Sequence, residues 1–199
     1  MRKLLTVIFD TFFPPSPSQK ILDSFRGEPK NLYSEGVFES VTYLSHYQNP
    51  FIKAAIKENK FHHNKTASKF LAGILDEWVK KQDKDIVFIP IPLGSNRQRE
   101  RGHNQVESIL ASSSKQLNIM NNLLYRVTET TPQSHLPRKE RLLNMRNVFE
   151  IKDIRGMTGK HIVVIDDVVT TGATLKAARA KLAPHLPSGT TISCVAIAH

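Results

Sequence analysis

Apolar residues recur at two spacings along the chain, and these spacings predict alternating helices and strands. Apolar residues three and four positions apart predict helices over about 66–81, from near Asn104 onward and over about 175–182. Continuous apolar runs predict buried strands over 86–89, 161–165 and 191–198. Because strands and helices alternate from Tyr43 onward, we expect an α/β fold with a central, mostly parallel sheet flanked by helices.

The N-terminal part of the chain lacks this alternation. We expect a helix and an irregular lobe over 1–42, ahead of a domain over 43–199. The first 13 residues imitate a signal peptide, but Asp10 interrupts their apolar run and prolines follow without a cleavage pattern of small residues. We therefore expect a short amphipathic helix that docks on the domain, with a peripheral membrane contact as the alternative. No other stretch is long and apolar enough to span a bilayer.

The net charge indicates what kind of partner the protein binds, and the number of cysteines indicates its redox compartment. The chain has 28 Lys and Arg against 18 Asp and Glu, a formal net charge of +10, which favours phosphates, nucleic acid or a membrane surface as partners. Cys194 is the only cysteine in the 199 residues, which excludes an internal disulfide framework and a Cys-based zinc ribbon. A single cysteine fits a reducing, cytoplasmic setting, or the inner face of the membrane if the N-terminal helix binds there.

The segment from Ile162 to Thr174 carries the most specific chemistry. An apolar strand ends at Asp166 and Asp167, and a Thr-rich loop then leads into a helix. Ligands of open α/β sheets bind outside the carboxyl ends of strands, and the N–H groups at a helix start bind anions. The loop therefore predicts a monophosphate cradle, formed by Thr170, Thr171, Gly172, Ala173 and Thr174. It lacks the lysine of a P-loop, so no nucleoside triphosphate is implied.

The two acids beside this cradle need their own explanation, since carboxylates repel phosphate. Carboxylates accept hydrogen bonds from vicinal hydroxyls and bind Mg²⁺. We therefore expect a 5-phosphoribosyl group, with Asp166 and Asp167 on the ribose and Mg²⁺ held through the ligand near them. The alternative is a buried strand followed by an acidic turn and a Thr helix cap.

Two blocks of sequence carry a family resemblance. The segment from Ile162 to Thr174 resembles the phosphoribosyl-pyrophosphate motif of type I phosphoribosyltransferases, and Ile89–Gln105 resembles the ComF branch of that superfamily. The ComF-like residues are Arg97, Arg101, Gly102, Asn104, Gln105, Gln133, Arg141 and Asn144, with His103 in place of the usual aromatic. The resemblance runs from Tyr43 to Ala198 and implies the type I fold with a small N-terminal or hood region.

The resemblance also implies roles. The pyrophosphate loop would fall at Pro92, Leu93 and Gly94, and Arg97 and Arg101, together with Arg99, would clamp pyrophosphate through their guanidinium forks. The implied reaction binds phosphoribosyl pyrophosphate with Mg²⁺, transfers the phosphoribosyl group to an unidentified acceptor and releases pyrophosphate. One of the two acids would be the general base. The alternative for each arginine is a solvated basic loop or a contact with nucleic acid.

The ComF resemblance implies two further hypotheses and one departure. A role in DNA uptake would make single-stranded DNA and other competence proteins its partners, and a non-catalytic sensor of nucleotide supply would use the same site. ComF proteins often carry an N-terminal zinc ribbon, but this chain has Ser16 and Ser18 at that place and no cysteine, so we expect no structural zinc. Trp78 and Cys194 are expected in the core and His62 and His63 on the surface.

Overall fold

A computed structural model describes residues 14–127, 148–152, 154 and 156–199 of the chain. In this part, six strands form the central sheet in the order β1-β2-β8-β7-β3-β4, and β5 pairs with β6 in a small antiparallel sheet. The strands are β1 Gly36–Phe38, β2 Val41–Tyr43, β3 Ile86–Pro90, β4 Asn118–Ile119, β5 Leu124–Arg126, β6 Phe149–Ile151, β7 His161–Val168 and β8 Thr191–Ala198. Only β1 and β2 pair antiparallel in the central sheet as described, which confirms the expected mostly parallel α/β fold.

Helices cover the two faces of this sheet. They are α1 Pro17–Asp23, α2 Pro50–His62, α3 Lys65–Val79, α4 Ser95–Arg101, α5 Gln105–Ala111 and α6 Ala173–Leu182. One buried cluster joins the sheet to α1, α2, α3 and α5, and a second joins it to α6, β5 and β6. Trp78 and Cys194 are buried in these clusters, as expected.

The central strands are buried on both sides, and their side chains alternate between the two clusters. In β7, Val163 and Ile165 belong to the first cluster, whereas Ile162 and Val164 belong to the second. Burial on both faces explains why the residues of β7 form a continuous apolar run in the sequence. The strand expected over 161–165 continues to Val168 in the structure. Asp166 and Asp167 therefore lie inside β7, near the end of its pairing with β8.

The region expected to be an irregular lobe contains regular structure from Ser16 onward. Ser16 caps α1 by accepting from the backbone N–H of Gln19, and Pro17 occupies the first helical position, where a missing N–H costs nothing. The strands β1 and β2 then join the central sheet, so the expected boundary between residues 42 and 43 falls inside β2. The expected amphipathic helix over 1–13 lies outside the described residues.

No helix in the described ranges has both the length and the apolar character that crossing a membrane requires. The longest of them, α3, has 15 residues. It packs its apolar stripe onto the core.

Candidate functional site

A cleft of about 800 Å³ opens at the carboxyl ends of β3 and β7. The predicted residues that line it are Pro92, Leu93, Arg97, Arg101, Gln105, Asp166, Asp167, Thr170 and Thr174. Gly94, Gly102, Asn104, Thr171, Gly172 and Ala173 lie in the same segments without lining it. The predicted Gln133, Arg141 and Asn144 fall outside the described residues. The fold thus brings two distant sequence blocks to one edge of the sheet.

The acidic pair lies at the floor of this cleft. The carboxylate of Asp167 is buried, and its Oδ2 has no hydrogen-bond partner among the described residues. The Nζ of Lys60 lies 3.5 Å from that oxygen. Asp166 Oδ1 accepts a hydrogen bond of 2.8 Å from the backbone N–H of Asp167. Burial, followed by the neighbouring charge of Asp167, raises the pKa of Asp166 well above its ordinary value.

The chemistry of this pair fits a hard cation that it shares with a ligand. Carboxylate oxygens are the donors that Mg²⁺ prefers, and Mg²⁺ usually keeps ligands from its substrate's phosphates or from water. The described residues contain no group of three or more His, Cys, Asp or Glu that would hold a metal by themselves. Beside the Lys60 ammonium, the buried Asp167 Oδ2 still has the capacity to accept a hydrogen bond from a hydroxyl or to bind a second cation.

The Thr-rich loop leads from β7 into α6, which begins at Ala173 with Gly172 as its N-cap. Gly172 has φ +69°, in the left-handed region, and a Cβ there would lie 3.3 Å from the Cβ of Glu39. Only glycine combines this backbone with so close an approach. Thr171 Oγ1 accepts a 3.4 Å hydrogen bond from the N–H of Ala173, while Thr170 and Thr174 line the cleft.

The turn between β1 and β2 supports the loop from outside. Glu39, at the tip of the turn, packs against Gly172 and forms an ion pair with Lys176 in the first turn of α6. Phe38 stacks on the ring of His199 with 4.0 Å between centroids. His199 Nδ1 in turn lies 3.1 Å from the carbonyl oxygen of Val169. The hairpin is therefore part of the scaffold of the site.

The opposite wall is basic and partly helical. The segment expected to bind pyrophosphate, over 92–101, is a loop only to Gly94, the N-cap of α4, and is helical from Ser95, because most residues of Ser95–Arg101 are good helix formers. Arg97 and Arg101 are four residues apart, so they share one face of α4 and line the cleft. Arg99 does not line it and instead donates to Asn96 at 2.6 Å. Burial lowers the pKa of Arg101, and the buried Nε of this residue has no hydrogen-bond partner in the described ranges.

The remaining ComF-like residues hold the wall in place. Gly102 ends α4 with φ +72°. Asn104 caps α5 by accepting from the N–H of Val106, and its amide donates to the carbonyl of Ile91 at 3.0 Å. Gln105 Oε1 accepts from Arg101 Nη1 at 3.2 Å. These contacts tie α4 and α5 to the end of β3.

Two groups of residues line the cleft but were not among the site residues predicted from the sequence. Arg126 in β5 lines the cleft, and its side chain would contact a Cβ placed on Gly94 at 3.7 Å. Burial and the charge of Arg97 lower the pKa of Arg126, and Asp166 opposes that shift. Lys57, Lys60 and Phe61 come from the last turns of α2. Their signals in the sequence are the ComF-like stretch Ile56–Phe61 and its aromatic and lysine residues, which suggest base stacking, although ordinary packing is the favoured role for most such aromatics.

Comparison with known proteins identifies the class. A family model described as "Phosphoribosyl transferase domain" matches residues 63–199, which include the acidic pair, the Thr-rich loop and α4. The chain therefore belongs to the phosphoribosyl transferase domain family. A hypoxanthine phosphoribosyltransferase structure from Staphylococcus aureus is 16% identical, with 67% of this chain and 63% of that chain covered and a TM-score of 0.39.

Relatives with greater identity come from the ComF branch. Competence protein F of Haemophilus influenzae is 30% identical over 153 residues, covering 72% of this chain and 66% of the relative. Competence protein ComFC of Streptococcus pneumoniae is 35% identical over 143 residues, covering 71% and 60%. That of Bacillus subtilis is 39% identical over 97 residues, covering 47% and 36%. These relatives confirm the ComF resemblance, and the chain spans less than two thirds of the length of each of them.

Proposed function

We propose that this protein binds phosphoribosyl pyrophosphate with Mg²⁺ and transfers the phosphoribosyl group to an acceptor, releasing pyrophosphate. In this proposal, the loop from Thr170 to Thr174 holds the 5-phosphate through backbone N–H groups and threonine hydroxyls. Asp166 and Asp167 bind the ribose hydroxyls. The segment Pro92–Gly94, together with Arg97 and Arg101, binds the pyrophosphate.

One observation supports this proposal above the others. Asp167 Oδ2 is buried without a hydrogen-bond partner in the described part of the chain, and it lines the same cleft as Thr170 and Thr174. A buried carboxylate oxygen without a hydrogen bond is costly even with the Lys60 ammonium 3.5 Å away, and a ligand that supplies a donor or a cation removes this cost. A phosphate cradle next to a carboxylate that requires a donor matches a phosphorylated sugar with free hydroxyls.

The chemistry of the proposed transfer follows from the two walls. The bond between C1 of the ribose and the pyrophosphate oxygen breaks, and pyrophosphate leaves with the electron pair. The acceptor's nucleophile forms the new bond to C1, and its proton passes to a base. Bound Mg²⁺ would supply charge neutralisation for the leaving group. Arg97 and Arg101 stabilise the charge that develops on pyrophosphate, and the raised pKa of Asp166 suits a carboxylate that accepts a proton.

The test is calorimetric titration of phosphoribosyl pyrophosphate with and without Mg²⁺. We expect Mg²⁺-dependent binding to the wild type and loss of at least about tenfold in affinity in the double variant Asp166→Asn/Asp167→Asn. The exposed Asp83→Asn variant is the matched control for removal of an acid and should bind as the wild type does. Equal affinity in the double variant and the wild type would reject the site assignment.

A second candidate function is binding of single-stranded DNA in competence, together with other competence proteins. The helix α4 favours it, because none of its residues is buried and Arg97 and Arg99 are basic. The ring of Phe61 also favours it, because this residue is 60% exposed and lies beside Arg101, where a base could stack. The names of the relatives, all competence proteins, agree with it. Fluorescence polarisation of labelled single strands should show affinity that falls steeply with salt. Salt-independent polarisation, or no binding near physiological salt, would reject this candidate.

A third candidate is a sensor that binds the same ligand without turnover. Tight binding in calorimetry with no release of pyrophosphate across a panel of bases and amines would select it over the enzyme. We propose a cytoplasmic location for all three, because the free thiol of Cys194 and a phosphorylated sugar ligand both fit the cytoplasm.

A further inference from the structure

Lys60 reaches the acidic pair from a distant part of the chain. It lies in the last turn of α2, more than 100 positions before Asp167, and its Nζ is 3.5 Å from Asp167 Oδ2. The Lys60 side chain is 27% exposed, so it borders both the buried carboxylate and the open cleft. A lysine in this position neutralises part of the charge of the pair while no ligand is bound.

The neighbouring residue Asn59 fixes the position of this turn. Asn59 is 1% exposed, and its amide donates to the carbonyl of Gln105 at 2.9 Å. Its Oδ1 accepts from the Ser68 hydroxyl at 2.8 Å, and its backbone carbonyl lies 2.7 Å from His103 Nε2. Three bonds to α3, α5 and the segment between α4 and α5 thus hold the backbone from which Lys60 extends.

The contact between Lys60 and Asp167 is an ion pair without a hydrogen bond, since Asp167 Oδ2 accepts none in the described part of the chain. A lysine has a compact charge on a flexible four-carbon stem, so a small rotation of that stem moves the ammonium toward the cleft. The cleft on that side holds Arg97, Arg101 and Arg126, which converge on one volume. Lys60 therefore contacts Asp167 and lines the same cleft as the basic wall.

We propose that Lys60 is a binding residue with two partners: Asp167 in the ligand-free protein, and the anionic phosphate groups of the ligand once a cation or sugar hydroxyl occupies Asp167. This inference rests on the proposed function and extends it to α2. Lys60 competes with Mg²⁺ alone for the carboxylates, but it contributes attraction to a ligand that carries both Mg²⁺ and a net negative charge.

This exchange predicts effects of opposite sign in one variant. Lys60→Met removes the competing cation, so Mg²⁺ alone should bind several-fold tighter than to the wild type. The same variant loses a charge-assisted contact to phosphate, so Mg²⁺ with phosphoribosyl pyrophosphate should bind about tenfold weaker. A substitution that merely loosens the site would weaken both. Lys60→Arg keeps the charge and should restore both affinities toward the wild-type values.

The experiment measures both affinities by calorimetry in the wild type, Lys60→Met, Lys60→Arg and Lys53→Met. Lys53 is exposed on α2 and does not line the cleft, so Lys53→Met is the matched control for loss of a lysine charge and should leave both affinities unchanged. Thermal melting checks that each variant is folded.

Effects of the same sign in Lys60→Met, or values equal to those of Lys53→Met, would overturn the inference while leaving the proposed function intact. A wild type that does not bind Mg²⁺ with phosphoribosyl pyrophosphate would instead overturn the proposed function and the phosphate contact of Lys60 together.

Discussion

The Nε2 atom of His103 lies 2.7 Å from the carbonyl oxygen of Asn59, and its Nδ1 lies 2.9 Å from the carbonyl oxygen of Arg101. The ring is buried and stacks on His63 with centroids 3.9 Å apart. It therefore links the end of α4 to the end of α2, the two helices that flank the cleft. A neutral imidazole donates one of these bonds, and an imidazolium donates both.

The aromatic residue more usual at position 103 would lose this link. We expect His103→Phe to lower the free energy of unfolding by about 1–3 kcal/mol, because buried carbonyl groups lose their donor. Urea unfolding followed by circular dichroism measures the change. His185→Phe, at an exposed site, is the control for replacing a histidine by this larger apolar ring. Equal unfolding midpoints for the two variants would contradict the structural role of His103.

Gly172 offers a test of the loop with a matched glycine. Gly172→Ala should cost about 1–2 kcal/mol for a left-handed alanine, plus the strain of a Cβ placed 3.3 Å from Glu39. Gly159→Ala has nearly the same backbone angle, φ +73°, but no atom within 4 Å, so it isolates the backbone cost. We expect only Gly172→Ala to weaken binding of phosphoribosyl pyrophosphate. Equal losses of stability and of affinity in the two variants would show that the packing of the hairpin on the loop is unimportant.

The two faces of α4 give a second matched pair. Arg101 lines the cleft, whereas Arg99, two positions away, does not. We expect Arg101→Met to weaken binding of phosphoribosyl pyrophosphate about tenfold, since it removes a charge-assisted contact to phosphate, and Arg99→Met to leave it unchanged. Calorimetry in the presence of Mg²⁺ measures both. A larger loss with Arg99→Met would place the ligand outside the cleft.

The acidic pair predicts the pH dependence of stability. Burial and the charge of Asp167 raise the pKa of Asp166 in the folded protein above its ordinary value of 3.8. From that value up to the raised pKa, the folded protein binds more protons than the unfolded chain, so the free energy of unfolding falls as pH increases. Asp166→Asn should remove this fall and be more stable than the wild type at neutral pH. Parallel pH profiles for the two proteins, from urea unfolding between pH 4 and 8, would contradict the assignment.

Cys194 should resist modification in the folded protein. The residue is 2% exposed, and burial raises the pKa of its thiol to about 11, so little thiolate forms near neutral pH. We expect iodoacetamide to label Cys194 slowly in the native protein at pH 8 and rapidly after unfolding in urea, as followed by mass spectrometry. Equal labelling rates in the two states would show that the β8 strand opens readily.

The local sequence pattern was sufficient to predict those parts of the fold and of the candidate site whose residues are neighbours in the chain. The buried strand, the acids and the helix that starts after Gly172 follow one another in the chain, and each has a characteristic residue type. The helix over 65–79 and the strand over 191–198 were likewise apparent from apolar spacing. The helical form of Ser95–Arg101 was missed because its residues are all polar and produce no apolar periodicity.

The contacts that complete the cleft depend on pairs far apart in the chain. Arg126 is the last residue of the short strand β5, and Lys60 lies in the last turn of α2, whose apolar face indicates only packing. The presence of a single Arg or Lys in the sequence does not show whether its side chain contacts a ligand or is a solvated charge on the surface. The arrangement becomes visible only when β5 and the end of α2 meet the carboxyl edge of the sheet.

The sequence by itself predicted the candidate site, because an acidic pair at a strand end and a Thr-Gly loop before a helix act through local geometry. It also determined the fold class, because the burial of a parallel sheet leaves continuous apolar runs between amphipathic helices. Only the tertiary structure decided that Lys60 and Arg126 join the predicted Arg97 and Arg101 around the acidic pair. Side-chain charges act over a few ångströms in space, and packing of α2, α4 and β5 sets those distances independently of their separation along the chain.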